Sequence, residues 1–178
     1  MNNIDEKLNS VRKKIDDIDN KILNLIEERS IIAQEVIKAK NNQNIFNPIR
    51  EEKLIKNLVS KNKKLKPDYI ENIWRLLIIE NLFLQGGIKV FLSPEKEVKE
   101  TVNWYFGKSA SIYVCKSNIE AISKLLINKY SSAILKNNKD LSQTFEIDGI
   151  KIRKVVETPI FKMKNLSKIA IYKRIDEI

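Results

Sequence analysis

The sequence predicts two kinds of structure in one chain: an all-α part with three helices over residues 1–85, and a small α/β domain of βαβαβ order over residues 88–178. The first observation is an apolar stripe of helical period that begins near the N-terminus. The second is Gly86-Gly87, a helix-stopping pair after which the period changes. The third is the alternation of short apolar runs with helical segments beyond that pair, which is typical of parallel strands joined by helices.

The first predicted helix runs from about Ile4 to about Lys40, without an internal glycine or proline. Its apolar residues recur in steps of three and four, which is the seam of a helix that packs lengthwise along another helix. The members of this stripe are Ile4, Leu8, Val11, Ile15, Ile18, Ile22, Leu25, Ile32, Val36 and Ala39. Two shorter helices cannot cover so long a stripe, so we expect a second chain to cover it.

Two proline-marked starts predict the other helices. Asn47-Pro48 combines an N-cap residue with a proline in the first turn and predicts a helix to about Lys61. Lys66-Pro67-Asp68 predicts a third helix that reaches Gln85.

The remainder predicts strands and helices in alternation. Short apolar runs, rich in isoleucine and valine, are separated by segments of helical period. The predicted strands are 88–92, 111–115, 132–135, 150–156 and 168–172, and the predicted helices are 96–106 and 118–130.

Composition excludes several classes of chemistry. The chain has no histidine, which removes histidine-based nucleophile activation and most zinc sites, and we expect neither a metal nor a cofactor. Its one cysteine, Cys115, ends an apolar run and is interpreted as buried.

The N-terminus is polar and no apolar run approaches a membrane span, so we expect a cytoplasmic protein without a membrane partner. The net charge is +10, but cations and aromatic residues are not clustered as in a nucleic-acid interface.

Arg29 falls on the apolar stripe of the first helix. A guanidinium is costly to bury alone, so it needs a carboxylate, a water-filled cavity or a bound ligand. Lys40 lies eleven residues further on, at nearly the same azimuth and roughly 16 Å along the axis. Both cations can therefore line one wall of a pocket for a small polyanionic metabolite. A polar residue on a helical seam also often sets register or oligomeric state, and that alternative stays open.

Arg12 stands apart from these two cations. It lies seventeen residues before Arg29 and about 100° round the helix, so it cannot easily join Arg29 within its own chain. A second copy of the chain could supply it.

The N-terminal half resembles the all-helical, AroQ-class chorismate mutases. The resemblance covers roughly Leu8 to Gln85 and depends on five pieces that occur in order and with nearly the spacing of that family. The pieces are Leu8–Asp19, Leu25–Arg29, Val36–Lys40, Asn47–Glu52 and Ile78–Gln85.

This resemblance implies an intertwined homodimer that converts chorismate, a dianion, to prephenate in phenylalanine and tyrosine biosynthesis. It implies that Arg29 and the partner's Arg12 bind the two carboxylates, and that Lys40 and Gln85 donate to the ether oxygen. The remaining implied substrate contacts are Glu51, which accepts from the ring hydroxyl, the backbone of Asn47, and the side chains of Arg50 and Asn81.

The chain departs from the family pattern at two of these positions. Family members often carry aspartate where this chain has Asn47, and serine where it has Asn81. Gln85 replaces the glutamate of some relatives; an amide needs no protonation to donate, so activity is expected to persist at neutral pH and above.

The second half resembles at most part of a prephenate dehydratase-like domain. It lacks a Thr-Arg-Phe stretch of the kind that dehydratases use, and we predict no dehydratase activity. Two other functions remain as alternatives: pyruvate elimination from isochorismate on the same fold, and a non-catalytic helical dimerisation module that carries a basic metabolite- or nucleic-acid-binding domain.

Overall fold

The computed structural model describes residues 3–39, 45–137 and 142–178. Three helices come first, as predicted: α1 (Asn3–Ala39), α2 (Pro48–Lys61) and α3 (Pro67–Leu84). The remaining elements are β1 (Ile88–Leu92), α4 (Lys96–Phe106), β2 (Ala110–Val114), α5 (Asn118–Ile127), β3 (Ser132–Lys136), β4 (Thr144–Ile147), β5 (Ile150–Thr158) and β6 (Ile169–Arg174). Short 3-10 turns follow α4 and β6. No helix among these described residues is both long enough and apolar enough to cross a membrane.

The predicted start of α2 and the predicted end of α3 have the expected local chemistry. The Asn47 side chain accepts from the backbone N–H of Arg50 at 2.9 Å, and Pro48 occupies the first turn of α2. The glycine pair ends α3: the N–H of Gly86 donates to Phe83 and that of Gly87 to Leu82, both at 3.0 Å. Gly87 has a φ of 71°, and a Cβ there would lie 2.6 Å from the Ser109 carbonyl oxygen. A side chain at position 87 would therefore separate α3 from the turn after α4.

The sheet is mixed, with the strand order β2-β1-β3-β6-β5-β4. β1 pairs in parallel with β2 and β3, whereas the β3–β6, β5–β6 and β4–β5 pairs are antiparallel. The parallel pairing expected from the alternation of strands and helices occurs among β1, β2 and β3, whereas the strands predicted at 150–156 and 168–172 pair antiparallel. β4 was not predicted, because it is a four-residue edge strand with only Phe145 and Ile147 as apolar residues and its alternating signal is short.

Buried residues of the helical part and the α/β part share one apolar cluster. Phe46, from the segment before α2, and Leu82, from α3, belong to the same cluster as Val90 of β1 and Val102 of α4. The division into domains at residues 85 and 88 stays a prediction. The packing shows that the two parts exclude water from a common core.

Most of α1 lies outside that core. Ile15 and Ile18, in the middle of its apolar stripe, are 51% and 54% exposed, and stripe residues on both sides of them are similarly open. Only the last turns of α1 approach α2 and α3. The single chain thus leaves the predicted seam uncovered.

Tyr172 gives the fold an expected alkaline pH dependence. Its hydroxyl donates to the Ser142 carbonyl oxygen at 3.0 Å. Burial, reinforced by the charge of Glu157, raises the pKa of Tyr172 from its ordinary value of 10.0 to about 12. The unfolded chain therefore loses this proton first, and the free energy of unfolding should fall as the pH rises from 10 towards 12.

The Tyr172→Phe variant isolates that contribution. It loses one hydrogen bond, worth about 1 kcal/mol, but has no hydroxyl to ionise. In urea denaturation at pH 9 and at pH 11, the stability gap between wild type and variant should narrow at the higher pH. A difference in unfolding free energy that is the same at both pH values would contradict the raised pKa of Tyr172.

Candidate active site

A cavity of about 300 Å³ lies where the end of α1, the start of α2 and the C-terminal half of α3 meet. This volume is at the lower end of the range for small-molecule sites. The polar lining residues are Arg29, Asn47, Arg50, Glu51, Asn81 and Gln85, and the apolar ones are Ile32, Ala33, Val36, Ile45, Leu54, Ile78 and Leu82. Six of the eight residues predicted from the sequence thus line one cavity, on three helices.

Arg29 and Arg50 place two cations at this cavity, Arg29 half-buried and Arg50 exposed. Among the described residues, the Arg29 side chain makes one marginal hydrogen bond, from Nη1 to the Leu77 carbonyl oxygen at 3.5 Å. Burial lowers the pKa of Arg29, and the charge of Arg50 lowers it further, although a guanidinium stays protonated at neutral pH. Neither arginine forms an ion pair with a carboxylate of the described residues. Such a pair of cations favours an anion in the cavity.

A larger cleft elsewhere has fewer unpaired cations. It measures about 400 Å³ and lies between α2 and β5, where three lysines line it. Lys56 is paired with Glu52 and Lys154 with Glu157, both at 2.6 Å, which leaves Lys168 as the lining cation without an ion pair among the described residues. Two unpaired arginines, against one unpaired lysine, favour the smaller cavity as the anion site.

Glu51 is the buried acid of the cavity, with 8% of its surface exposed. Its Oε2 accepts from Nη1 of Arg75 at 2.7 Å and from the Tyr105 hydroxyl at 2.9 Å. No described residue donates a hydrogen bond to Oε1. Glu51 therefore keeps one carboxylate oxygen free to accept from a guest.

Arg75 and Tyr105 were not predicted from the sequence. Arg75 did leave a signal, since Glu71, Arg75, Ile78 and Leu82 recur in steps of four and three along one face of α3, and all four are buried. The argument that singled out Arg29 applies equally to Arg75. Tyr105 has no comparable signal in the sequence, because nothing there indicates that α4 packs against the start of α2.

Asn81 and Gln85 lie one turn apart at the end of α3. Asn81 is buried, and its Nδ2 donates to the Leu77 carbonyl oxygen at 2.9 Å while Oδ1 has no partner among the described residues. Gln85 is half-buried at the C-cap of α3. Both amides are placed to contact a guest from the α3 side.

The other two predicted residues are not brought to the cavity by the described part of this chain. Arg12 is exposed on α1, about 25 Å along the helix from Arg29. Lys40 lies outside the described residues. Val36, one turn before it, lines the cavity.

The described cavity thus defines a class: a helical protein with a cavity lined by two arginines, a buried glutamate and three side-chain amides. The sequence model of the family described as "Chorismate mutase type II" matches residues 11–86. A chorismate mutase from Methanocaldococcus jannaschii is 42% identical over 86 residues, which cover 45% of this chain and 85% of that protein. The chain therefore belongs to the chorismate mutase family.

Two longer relatives match as well. The bifunctional chorismate mutase/prephenate dehydratase of Aquifex aeolicus is 32% identical over 121 residues, which cover 63% of this chain and 33% of that protein. The enzyme of the same name from Buchnera aphidicola is 36% identical over 90 residues, which cover 48% of this chain and 23% of that protein. At 63% of the chain, the Aquifex match is too long for the three helices alone and includes part of the α/β domain. This chain spans only a third or less of either bifunctional relative, and no solved structure matches it significantly.

Proposed function

We propose that this chain is a chorismate mutase of aromatic amino acid biosynthesis, which rearranges chorismate to prephenate. The observation that carries the proposal is the pair Arg29 and Arg50, two cations that face one cavity without a carboxylate partner among the described residues. Arg29 loses part of its hydration by burial and is repelled by the charge of the more exposed Arg50, and a dianion relieves both costs.

The rearrangement is intramolecular: a C–O bond breaks as a C–C bond forms, with no covalent attachment to the protein. Catalysis then consists of holding the compact conformer and placing positive charge where the breaking bond accumulates negative charge. Arg29 and the partner's Arg12 would bind the carboxylates with planar guanidinium groups, and Arg50 would add a further contact. Lys40 and Gln85 would donate to the ether oxygen.

The ring hydroxyl of the substrate needs an acceptor. We assign this role to Glu51, whose Oε1 accepts no hydrogen bond from a described residue, with the backbone of Asn47 beside it. Asn81 would contact a carboxylate from α3. A cytoplasmic location stays a prediction.

The test is the conversion of chorismate by the purified full chain, followed by loss of its ultraviolet absorbance. Mass analysis of the product distinguishes prephenate from pyruvate, and the same assay with isochorismate tests the elimination reaction. If chorismate stays unchanged, the proposal fails. A protein that instead binds polyanions without turnover and with a steep salt dependence would be the non-catalytic module.

A homodimer is part of the proposal. The uncovered stripe of α1 and the distance of Arg12 from its own cavity both support a second copy that packs along α1. In such a dimer each site would contain Arg29 of one chain and Arg12 of the other.

A subunit-mixing experiment tests the shared site. Arg12→Ala and Arg29→Ala homodimers are each expected to be nearly inactive. After the two are unfolded and refolded together, the mixed dimers contain one site with both lesions and one intact site, so about one quarter of the wild-type activity should return. If Arg12 served its own chain, both sites of the mixed dimer would be damaged and no activity would return.

A further inference from the structure

The carboxylate of Glu51 is held from two directions. Arg75 comes from α3 of the helical part, and Tyr105 comes from α4 of the α/β part; both donate to the same oxygen, Oε2, at 2.7 and 2.9 Å. The two donors are 2% and 3% exposed. Two donors on one oxygen restrict the rotation of the carboxylate, and no donor from the described residues reaches Oε1.

The side chains of Arg75 and Tyr105 are held by contacts with each other and with Trp104. The Arg75 guanidinium lies 3.7 Å from the centre of the Tyr105 ring and 5.8 Å from that of Trp104. Trp104 in turn donates from Nε1 to the Asn72 side chain at 2.8 Å. Burial raises the pKa of Tyr105 well above its ordinary value, so the hydroxyl keeps its proton and remains a donor.

The segment just before α2 packs against the α/β domain. Phe46 is 2% exposed and packs against Tyr105 and Phe106, with ring centres 6.2 and 5.2 Å apart. The Nζ of Lys173, on β6, donates to the Phe46 carbonyl oxygen at 3.0 Å. The α/β domain thus orders the chain that enters α2, as well as the side chain of Glu51.

A third contact joins α3 to the loop between β5 and β6. Both oxygens of Glu71, one turn before Arg75, accept backbone N–H groups, from Ile160 at 2.8 Å and Phe161 at 2.9 Å. This buried acid fixes the helix that carries Arg75 against the loop between β5 and β6.

We propose that Tyr105 and Arg75 are positioning residues for Glu51, and that the α/β domain is therefore a working part of the mutase site. This inference depends on the proposed function, because it assigns a task to a residue of that site. A carboxylate that is free to rotate would share its hydrogen bonds with water, and a displacement of about 1 Å can cost on the order of 100-fold in rate.

Full-length Tyr105→Phe tests the inference, since it removes only the hydroxyl and keeps the ring that packs on Arg75 and Phe46. We expect kcat/KM for chorismate to fall by about 10-fold, as for the loss of one hydrogen bond to a charged group. The fall should appear mainly as a higher KM, because a less ordered Glu51 weakens substrate binding. A partly unfolded enzyme would instead show a lower kcat with an unchanged KM.

The matched control is Tyr113→Phe, which removes the hydroxyl of an exposed tyrosine on β2 of the same domain and should leave both constants unchanged. The same Tyr105→Phe change is then made in a Glu51→Gln background. If Tyr105 acts through Glu51, the second change should lower kcat/KM by less than about twofold there.

The outcomes separate the two proposals. A wild-type chain that does not convert chorismate overturns the proposed function and this inference with it. An active wild type with an equally active Tyr105→Phe variant overturns the inference alone. So does a Tyr105→Phe effect of the same size in both backgrounds, because that result shows a role independent of Glu51.

Discussion

Replacing Arg29 by alanine is expected to lower kcat/KM for chorismate by about 1000-fold, because a substrate carboxylate loses the guanidinium that would bind and orient it. The fold should survive. Within the described part of the chain, Arg29 makes one marginal hydrogen bond, at 3.5 Å, and is repelled by Arg50. Its removal should therefore change the free energy of unfolding by no more than about 0.5 kcal/mol.

Steady-state kinetics and urea denaturation of the same preparation measure the two effects. Lys40→Ala is expected to lose a comparable factor, since its ammonium would face the ether oxygen. The control is Arg153→Ala, which removes an exposed arginine of β5 and should leave the kinetics unchanged. A large loss of stability in Arg29→Ala, or an activity close to wild type, would contradict the role of Arg29.

The double variant Ile15→Asp, Ile22→Asp places two carboxylates on the apolar stripe of α1. It is expected to dissociate the dimer and to lower the chorismate mutase activity at least about 100-fold. Each isoleucine would contribute about 1.5–3 kcal/mol when a second helix covers it. A carboxylate in its place must be desolvated without a partner. Monomers would lose the arginine that each site takes from the other chain.

Sedimentation velocity gives the mass, and the chorismate assay gives the activity. Asn20→Asp is the matched control, because it adds a negative charge to the opposite side of α1 and should leave the dimer intact. Wild-type activity in a monomeric double variant would show that the site is complete within one chain.

Helical periodicity, proline-marked starts and the glycine pair were sufficient to predict α1, α2 and α3, because these signals are local and repeat over several turns. The same locality limited the sheet prediction. Whether β6 pairs parallel or antiparallel to β3 depends on the path that the chain takes through β4 and β5, and that is a property of the assembled sheet.

The residues of the candidate site were also predicted only where a local sequence signal or the family resemblance indicated them. Arg29 was identified because a guanidinium on an apolar stripe is anomalous within its own helix. Asn47, Arg50, Glu51, Asn81 and Gln85 followed from the family resemblance, and all five line the cavity, although their roles stay predictions.

The amino-acid sequence by itself determined the helical part, the family and the positive charge of the cavity, since each depends on residue type and on spacing along one element. Only the tertiary structure decided that Tyr105, fifty-four positions after Glu51, donates to the same carboxylate oxygen as Arg75. It also decided that Phe46 shares a core with the sheet. The physical reason is that a hydrogen bond is a matter of a few ångströms between side chains, and no periodicity in either helix encodes how α4 packs against α2.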